Sequence, residues 1–85
     1  MKEFKYTVTD PAGIHARPAG EFVKAASKYD SEVNITKDGR TVSAKKIFGV
    51  MGLAVKQGQE ITVTIEGSDE DTAATELEEF LKNNL

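Results

Sequence analysis

The first third of the chain changes its hydrophobic period partway along. Phe4, Tyr6 and Val8 alternate with polar residues, which is the two-residue period of a half-buried strand. The run 10–13 (Asp-Pro-Ala-Gly) is rich in turn residues and ends that strand. The spacing then becomes that of an amphipathic helix and predicts a helix over 16–28. Its apolar positions are Ala19, Phe22, Val23 and Ala26.

The middle of the chain predicts a hairpin followed by a short helix. The Asp-Gly pair at 38–39 separates two runs of strand-forming residues and is the strongest hairpin signal in the sequence. Strands are therefore predicted over 33–37 and 40–43. Helical spacing predicts a short helix over 44–53, although two glycines inside it weaken the pattern. Its apolar positions are Ile47, Val50 and Met51.

The last third predicts a strand and a helix. Residues 61–65 alternate isoleucine and valine with threonine, and Gly67 ends the alternation. Ser68 and Asp71, three residues apart, approximate a capping box and predict that the last helix opens there. The apolar face of this helix consists of Ala74, Leu77 and Leu81.

The predicted order is strand, helix, strand, strand, helix, strand, helix. Strands with one apolar face need a cover, and three amphipathic helices supply it. The order therefore predicts an α+β fold, a two-layer sandwich with a largely antiparallel sheet. With 85 residues and no linker or repeat, we expect a single domain over 1–85.

Charge divides the chain into two parts. Residues 1–59 carry ten basic and six acidic side chains, a net charge of +4, whereas residues 60–85 carry one basic and eight acidic, a net charge of −7. The basic part suits an acidic partner. The acidic part is interpreted as the solvated face of the last helix.

Composition excludes several classes of function. One histidine, no cysteine and no acidic loop of metal-binding spacing give no metal site, and no glycine-rich phosphate loop supports a nucleotide or another cofactor. The negative net charge and the lack of interleaved aromatic residues argue against nucleic-acid binding. The longest apolar run, 47–55, is too short to span a bilayer, and residues 1–5 do not resemble a signal peptide. We therefore expect a soluble cytoplasmic protein without membrane insertion.

His15 is the only histidine and lies where the first predicted helix begins. Unpaired backbone N–H groups and the positive end of the helix dipole meet at such a position. The positive end favours the neutral imidazole, whose nitrogen lone pair can act as a nucleophile. Local physics supports two interpretations equally: a nucleophile towards an anionic electrophile, or a surface cap without further role. The turn-rich loop 10–13 favours the nucleophile, because accessible polar residues on such loops often carry function.

Two neighbours of His15 suit a phosphoryl group as the electrophile. The N–H groups of a first helical turn can donate to phosphate oxygens. Arg17 adds a forked cationic donor that stabilises developing negative charge. Pro18 fits a first turn, because the N–H that proline lacks has no partner inside the helix.

The segment 45–51 is the second candidate site. Ile47 and Met51 lie on one helix face, but Phe48 lies about 100° around the helix from Ile47, which can leave a large side chain exposed. An exposed patch beside Lys45 and Lys46 would form a docking surface with an apolar centre and a basic rim. The alternative, in which all three apolar residues belong to the core, remains open on sequence grounds.

The run 13–19 (Gly-Ile-His-Ala-Arg-Pro-Ala) closely resembles the active-site signature of the HPr family. These are the histidine-containing phosphocarriers of the bacterial phosphoenolpyruvate-dependent sugar phosphotransferase system. The resemblance continues through 38–39, 44–45, 49–53 and 66–70, so it covers essentially the whole chain. It implies an open-faced β-sandwich, with a four-stranded antiparallel sheet and three helices on one side, in agreement with the predicted order.

The resemblance also implies a function. His15 would accept a phosphoryl group on Nδ1 from phosphorylated enzyme I and pass it to sugar-specific IIA domains, so the protein would be a monomeric carrier and not an enzyme. Arg17 would balance the phosphate charge, and the backbone N–H groups of Ala16 and Arg17 would hold the phosphate oxygens. The implied partner surface consists of Ile47, Phe48 and Met51, with Lys24 and Lys45 as rim charges.

One position departs from the family pattern. Many Gram-positive relatives have, at the start of the second helix, a serine that an ATP-dependent kinase phosphorylates, and this chain has Lys46 there. Lysine has no hydroxyl and adds positive charge. Ser43 is nearby, but we expect it to belong to the preceding strand. We therefore predict that the serine switch is absent.

Two other functions remain as alternatives. A regulatory binding module would keep the fold without carrying phosphate, although relatives of that kind typically lack the histidine that this chain has. A carrier for a nitrogen-related or other specialised phosphotransferase branch would keep the chemistry and change the donor.

Overall fold

A computed structural model describes residues 1–85 as four strands and three helices in the predicted order. The strands form one antiparallel sheet in the order β1-β4-β2-β3. The predicted α+β sandwich, with the sheet open on its other side, is confirmed. The elements are β1 (Lys2–Thr7), α1 (Ala16–Ala26), β2 (Glu32–Lys37), β3 (Arg40–Ser43), α2 (Ile47–Gly52), β4 (Glu60–Glu66) and α3 (Glu70–Asn84).

The core lies between the sheet and the helices. In β4, Ile61, Val63 and Ile65 are fully buried, while Thr62 and Thr64 between them are partly exposed. This two-residue alternation leaves the opposite face of the sheet uncovered and polar. The helices contribute the rest of the core, including Phe22 from α1 and Leu77 and Leu81 from α3. None of the three helices combines the length and the apolar character that crossing a bilayer requires.

Two predicted helix boundaries were wrong. The first helix ends at Ala26 and not at residue 28, because the chain tightens there and the N–H of Lys28 donates to the carbonyl of Ala25 at 3.3 Å. The second helix begins at Ile47 and not at residue 44. Ala44 is instead buried, and its N–H donates to the carbonyl of Val33 at 2.8 Å, so this residue extends the β2–β3 pairing.

The predicted capping box at the start of α3 was also wrong. Neither Ser68 nor Asp71 caps the helix, which follows Asp69 and has no side-chain cap. The Asp69 carboxylate accepts hydrogen bonds from the N–H groups of Asp30 and Ser31, both at 2.9 Å, and from the Ser31 hydroxyl. The acidic residue thus fixes the loop between α1 and β2, a long-range contact that sequence spacing does not show.

Candidate functional site

The loop before α1 is held in place by backbone hydrogen bonds. The N–H of Gly13 donates to the carbonyl of Asp10 at 2.8 Å, and the N–H of the buried Ile14 donates to the carbonyl of Val55 at 2.9 Å. Gly13 has φ +68°, and a Cβ atom there would lie 2.2 Å from the Val55 oxygen. Only glycine fits this close approach, so the backbone sets the position from which α1 starts.

His15 occupies the N-cap position of α1. Its backbone is extended, with φ −102° and ψ −176°, and its carbonyl accepts the first helical hydrogen bond from the N–H of Ala19 at 2.9 Å. The imidazole makes no capping hydrogen bond and is exposed. The side chain therefore does not cap the helix, and the exposed imidazole has no hydrogen-bond partner within the chain.

The first turn of α1 has donors without acceptors. The N–H groups of Ala16 and Arg17 make no hydrogen bond within the chain, and Pro18 has no N–H. The turn contains no acidic side chain. These donors and the positive end of the helix dipole form an electrostatically favourable place for an anion beside the imidazole.

An open pocket of about 220 Å³ surrounds this helix end. Arg17 lines it, with a side chain that is 86% exposed, and its nearest acidic partner is Glu21, with Nε and Oε1 3.9 Å apart. The guanidinium is thus free to turn towards a group attached to His15. The pocket is lined by Asp10, His15, Arg17, Pro18, Glu21 and Asn84. No group of three or more His, Cys, Asp or Glu side chains in the chain has a geometry that holds a metal ion.

Sequence reasoning missed three members of this pocket. Glu21 could have been found, because it lies four residues after Arg17 on the same helix face. Asp10 was seen only as a turn residue, and its carboxylate accepts a hydrogen bond from the N–H of Ala12 at 2.8 Å. Asn84 has no local signal, since only the packing of α3 against α1 brings it to the pocket.

The second candidate site is an exposed surface of α2, which we call the α2 patch (Ile47, Phe48 and Met51). The Phe48 side chain is 87% exposed and Met51 is 39% exposed, while Ile47 is half-buried. Ile47 packs over α1, where its Cδ1 lies 3.5 Å from the position that a Cβ of Gly20 would take. The alternative in which all three residues are core is therefore excluded, and the patch adjoins the helix that carries His15.

The lysines around the α2 patch differ in their contacts. The Lys45 ammonium donates to the carbonyl of Tyr29 at 2.8 Å, so it connects the segment between β3 and α2 to the loop after α1. Lys24 is exposed in the last turn of α1. Lys46 is the N-cap residue of α2, is exposed and makes no ion pair. Ser43 is the last residue of β3, as predicted, and its hydroxyl oxygen accepts a hydrogen bond from the Lys45 N–H.

Residues 2–83 match the family model described as the PTS HPr component phosphorylation site. The chain belongs to the HPr family. It is 44% identical over 81 residues to the phosphocarrier protein HPr of Lysinibacillus sphaericus, a match that covers 95% of this chain and 92% of that protein. The family resemblance seen in the sequence is therefore confirmed, and HPr proteins are phosphocarriers of the phosphotransferase system.

Solved structures agree with this assignment. HPr from Thermoanaerobacter tengcongensis superimposes with a TM-score of 0.94 at 40% identity, covering 98% of this chain and 93% of that one. Crh, the catabolite repression protein of Bacillus subtilis, gives a TM-score of 0.78 at 39% identity over 100% of this chain and 98% of its own. The Crh structure is described as a domain-swapped dimer.

Proposed function

We propose that this HPr-family protein carries a phosphoryl group on His15 from enzyme I to sugar-specific IIA domains. The observation that supports the proposal most strongly is the combination at the start of α1. An exposed imidazole with no hydrogen-bond partner lies beside two unpaired N–H groups and the guanidinium of Arg17. A helix start of this kind, with a nucleophile and no internal anion, suits transient attachment of phosphate.

The transfer needs little from the protein beyond position and charge. The Nδ1 lone pair of His15 forms the bond to phosphorus, and the bond to the phosphoryl donor breaks with its electron pair remaining on the donor. In the second transfer the N–P bond breaks and its pair returns to the imidazole as the acceptor attacks phosphorus. Ala16 and Arg17 donate N–H groups to the phosphoryl oxygens, and the Arg17 side chain offsets their charge. The protein is consumed and regenerated stoichiometrically and is not an enzyme in its own right.

The α2 patch is proposed as the centre of the docking surface for both partners. Phe48 and Met51 expose apolar side chains close to α1. Such exposure is unusual for a side chain as large as that of Phe48 and indicates a binding surface. Lys24 and Lys45 are proposed as the rim charges. The Lys45 ammonium also donates to the carbonyl of Tyr29, and the exposed Lys46 adds a third positive charge. We therefore expect enzyme I and IIA domains to present an apolar recess with acidic residues around it.

Several further properties belong to the same proposal. The protein acts in the cytoplasm as a single domain, binds no cofactor or nucleic acid and does not insert into membranes. We propose that it works as a monomer, because a single chain already supplies the imidazole, the unpaired N–H groups and the guanidinium that the transfer uses.

The proposed carrier function is tested by phosphorylation with enzyme I and phosphoenolpyruvate. We expect one acid-labile phosphoryl group per chain and complete loss of labelling in His15→Ala. Because the imidazole is exposed and makes no hydrogen bond, this variant should keep its circular dichroism spectrum and serve as its own folding control. Labelling that persists in His15→Ala would refute the site.

The predicted absence of the serine switch is tested by comparing the wild-type chain with Lys46→Ser. The ATP-dependent kinase of Gram-positive relatives should leave the wild-type chain unlabelled and should label Lys46→Ser, which restores a hydroxyl at the N-cap of α2. ATP-dependent labelling of the wild-type chain would contradict this prediction.

A regulatory role is the second candidate, favoured by the similarity to Crh. It predicts binding to a regulatory partner that is unaffected by His15→Ala. Dependence of that binding on phosphorylated His15 would instead make regulation a consequence of carriage.

A further inference from the structure

Glu21 is the one acidic side chain of α1 and lines the same pocket as His15. Its carboxylate lies one helical turn beyond Arg17, with Oε1 3.9 Å from the guanidinium Nε, and it has no other ionic partner. Asp10, the second acid of the pocket, accepts the N–H of Ala12 and so is engaged by its own loop. Arg17 is therefore the cation that Glu21 and an incoming phosphoryl group must share.

The pocket has too little positive charge to pair with both Glu21 and a bound phosphoryl group. Before phosphorylation the pocket holds one cation, Arg17, and two acids, Asp10 and Glu21. A phosphoryl group adds a charge of about −1.5 to −2. When the phosphoryl group arrives, it pairs with the Arg17 guanidinium. Glu21 then loses its ionic partner and is repelled by the phosphoryl oxygens in the same pocket.

We propose that Glu21 speeds release of the phosphoryl group from this carrier by competing with that group for Arg17. The inference rests on the proposed function, in which His15 is the acceptor. Glu21 touches no reacting atom and acts through the guanidinium, so it is a positioning residue. Its effect is to keep the bound group easy to release.

The direction of the effect follows from the charge change during release. In hydrolysis a water oxygen forms a bond to phosphorus, the N–P bond breaks with its electron pair on the imidazole nitrogen, and that nitrogen takes up the water proton. The transition state is loose, so charge leaves the phosphoryl oxygens as the N–P bond breaks. Repulsion from Glu21 is larger in the bound state than in the transition state, which speeds release.

The magnitude follows from the exposure of the pair. Half of the Glu21 side chain and most of the Arg17 side chain are open to solvent, which screens their charges. Interactions between exposed unit charges change an equilibrium or a rate by about two- to fivefold. Glu21→Gln, which keeps the shape and removes the charge, should lengthen the lifetime of the phosphohistidine by that factor.

The experiment loads the full-length chain with phosphoramidate, a small chemical donor that requires no enzyme I. Decay of the phosphohistidine is followed by 31P NMR in the wild type, Glu21→Gln and the control Glu3→Gln. Glu3 is exposed on β1 and alternates with the half-buried Phe4, so its charge lies on the sheet face away from the helices. We expect a two- to fivefold longer lifetime for Glu21→Gln and no change for Glu3→Gln.

Repeating the Glu21 substitution in an Arg17→Gln protein separates competition for Arg17 from other effects of the Glu21 charge. In Arg17→Gln, removal of the Glu21 charge should change the lifetime by less than it does in the wild type, because the shared cation is gone. Thermal unfolding of all variants reports any purely structural role, which would move the melting temperature and leave the lifetime unchanged.

The outcomes distinguish this inference from the function on which it rests. If the wild-type chain gains no phosphohistidine, the acceptor assignment and this inference both fail. If the wild type is labelled and Glu21→Gln decays at the same rate or faster, the inference alone is overturned, and Glu21 only supports the helix or orients Arg17 for phosphate.

Discussion

The first turns of α1 and α3 differ in whether acidic side chains neutralise the positive end of the helix dipole. The turn of α3 follows Asp69 and contains Glu70 and Asp71, and these carboxylates have partners within the chain, such as Lys2, which pairs with Asp71 at 3.0 Å. The turn of α1 has no acid, no side-chain cap and unpaired N–H groups beside His15. The same helix dipole is thus neutralised internally in α3 and left open in α1.

Under the proposed function, the difference separates residues that stabilise the fold from residues that bind the phosphoryl group. In α3, anions at the helix start tie the helix to β1 and to the loop after α1, which stabilises the fold. In α1, the missing anion leaves a favourable position for a group that arrives and departs. Under the proposed function, the backbone N–H groups of this turn must stay free, because a carboxylate within the turn would compete with the phosphoryl group for them.

The largest expected effect comes from displacing the start of α1. Gly13→Ala places a Cβ 2.2 Å from the Val55 oxygen in a backbone of φ +68°. We expect the free energy of unfolding to fall by about 2–4 kcal/mol and phosphoryl acceptance by the remaining folded protein to drop. Urea unfolding measures the first effect, and labelling of the variant below its unfolding midpoint measures the second.

Gly39→Ala is the matched control for this substitution. Gly39 also has a positive φ, +79°, but no atom lies within 4 Å of a Cβ built there. Its cost is therefore conformational only, about 1 kcal/mol, and labelling should be normal. Equal losses in the two variants would show that the close approach at Val55 does not position α1.

A smaller effect is expected from making α1 resemble α3. Ala16→Asp adds a carboxylate to the first turn of α1, where it complements the dipole and opposes an external anion. We expect phosphoryl acceptance to fall about tenfold, the effect of one nearby unit charge in a polar environment. Initial labelling rates measure it, with Thr72→Asp in the first turn of α3 as the control. Normal labelling of Ala16→Asp would break the proposed contrast.

The smallest effect on phosphoryl transfer is expected at α3. Hydrogen bonds from the Ser31 hydroxyl and the Asp30 N–H lower the pKa of Asp69 below its ordinary value. A lowered pKa in the folded state means that ionised Asp69 stabilises the fold above the ordinary carboxyl pKa, and that this contribution is lost as the pH falls through the lowered value. Asp69→Asn should therefore be less stable than the wild type at neutral pH.

The pH dependence of this difference is the test. Urea unfolding of both proteins should show the gap narrowing as the pH falls through the carboxyl range, with labelling of His15 unchanged at neutral pH. A gap that stays constant with pH would contradict the charge-based account of this contact. A loss of labelling would contradict the separation between the two helix starts.

Much of the fold was predictable because its signals are local. The isoleucine and threonine alternation of β4 and the Asp-Gly pair between β2 and β3 report burial and turn geometry within a few residues. Two of the three errors arose where a distant contact decided the outcome, whereas the early end of α1 reflects a local tightening of the chain at Lys28. Ala44 pairs with Val33 across the sheet and so lies outside the helix predicted for it. Asp69 binds a loop 38 residues away, a contact that the spacing of Ser68 and Asp71 does not indicate.

The same distinction between local signals and distant contacts applies to the candidate site. His15 and Arg17 lie two residues apart at a helix start, which sequence alone reveals, together with the family resemblance. Asn84 reaches the pocket only through packing of α3. For Phe48, helical spacing left the choice between core and surface open, because the direction of α2 depends on how closely Ile47 approaches α1 at Gly20.

In the proposed function, the open start of α1 holds the phosphoryl group and the start of α3 takes no part. Amide 1H–15N spectra recorded before and after phosphorylation separate the two helix starts. We expect the largest downfield amide proton shifts at Ala16 and Arg17, and no shift at Asp71 and Thr72 in α3. Unchanged Ala16 and Arg17 resonances in a protein whose His15 carries the phosphoryl group would contradict the proposed function of the α1 start.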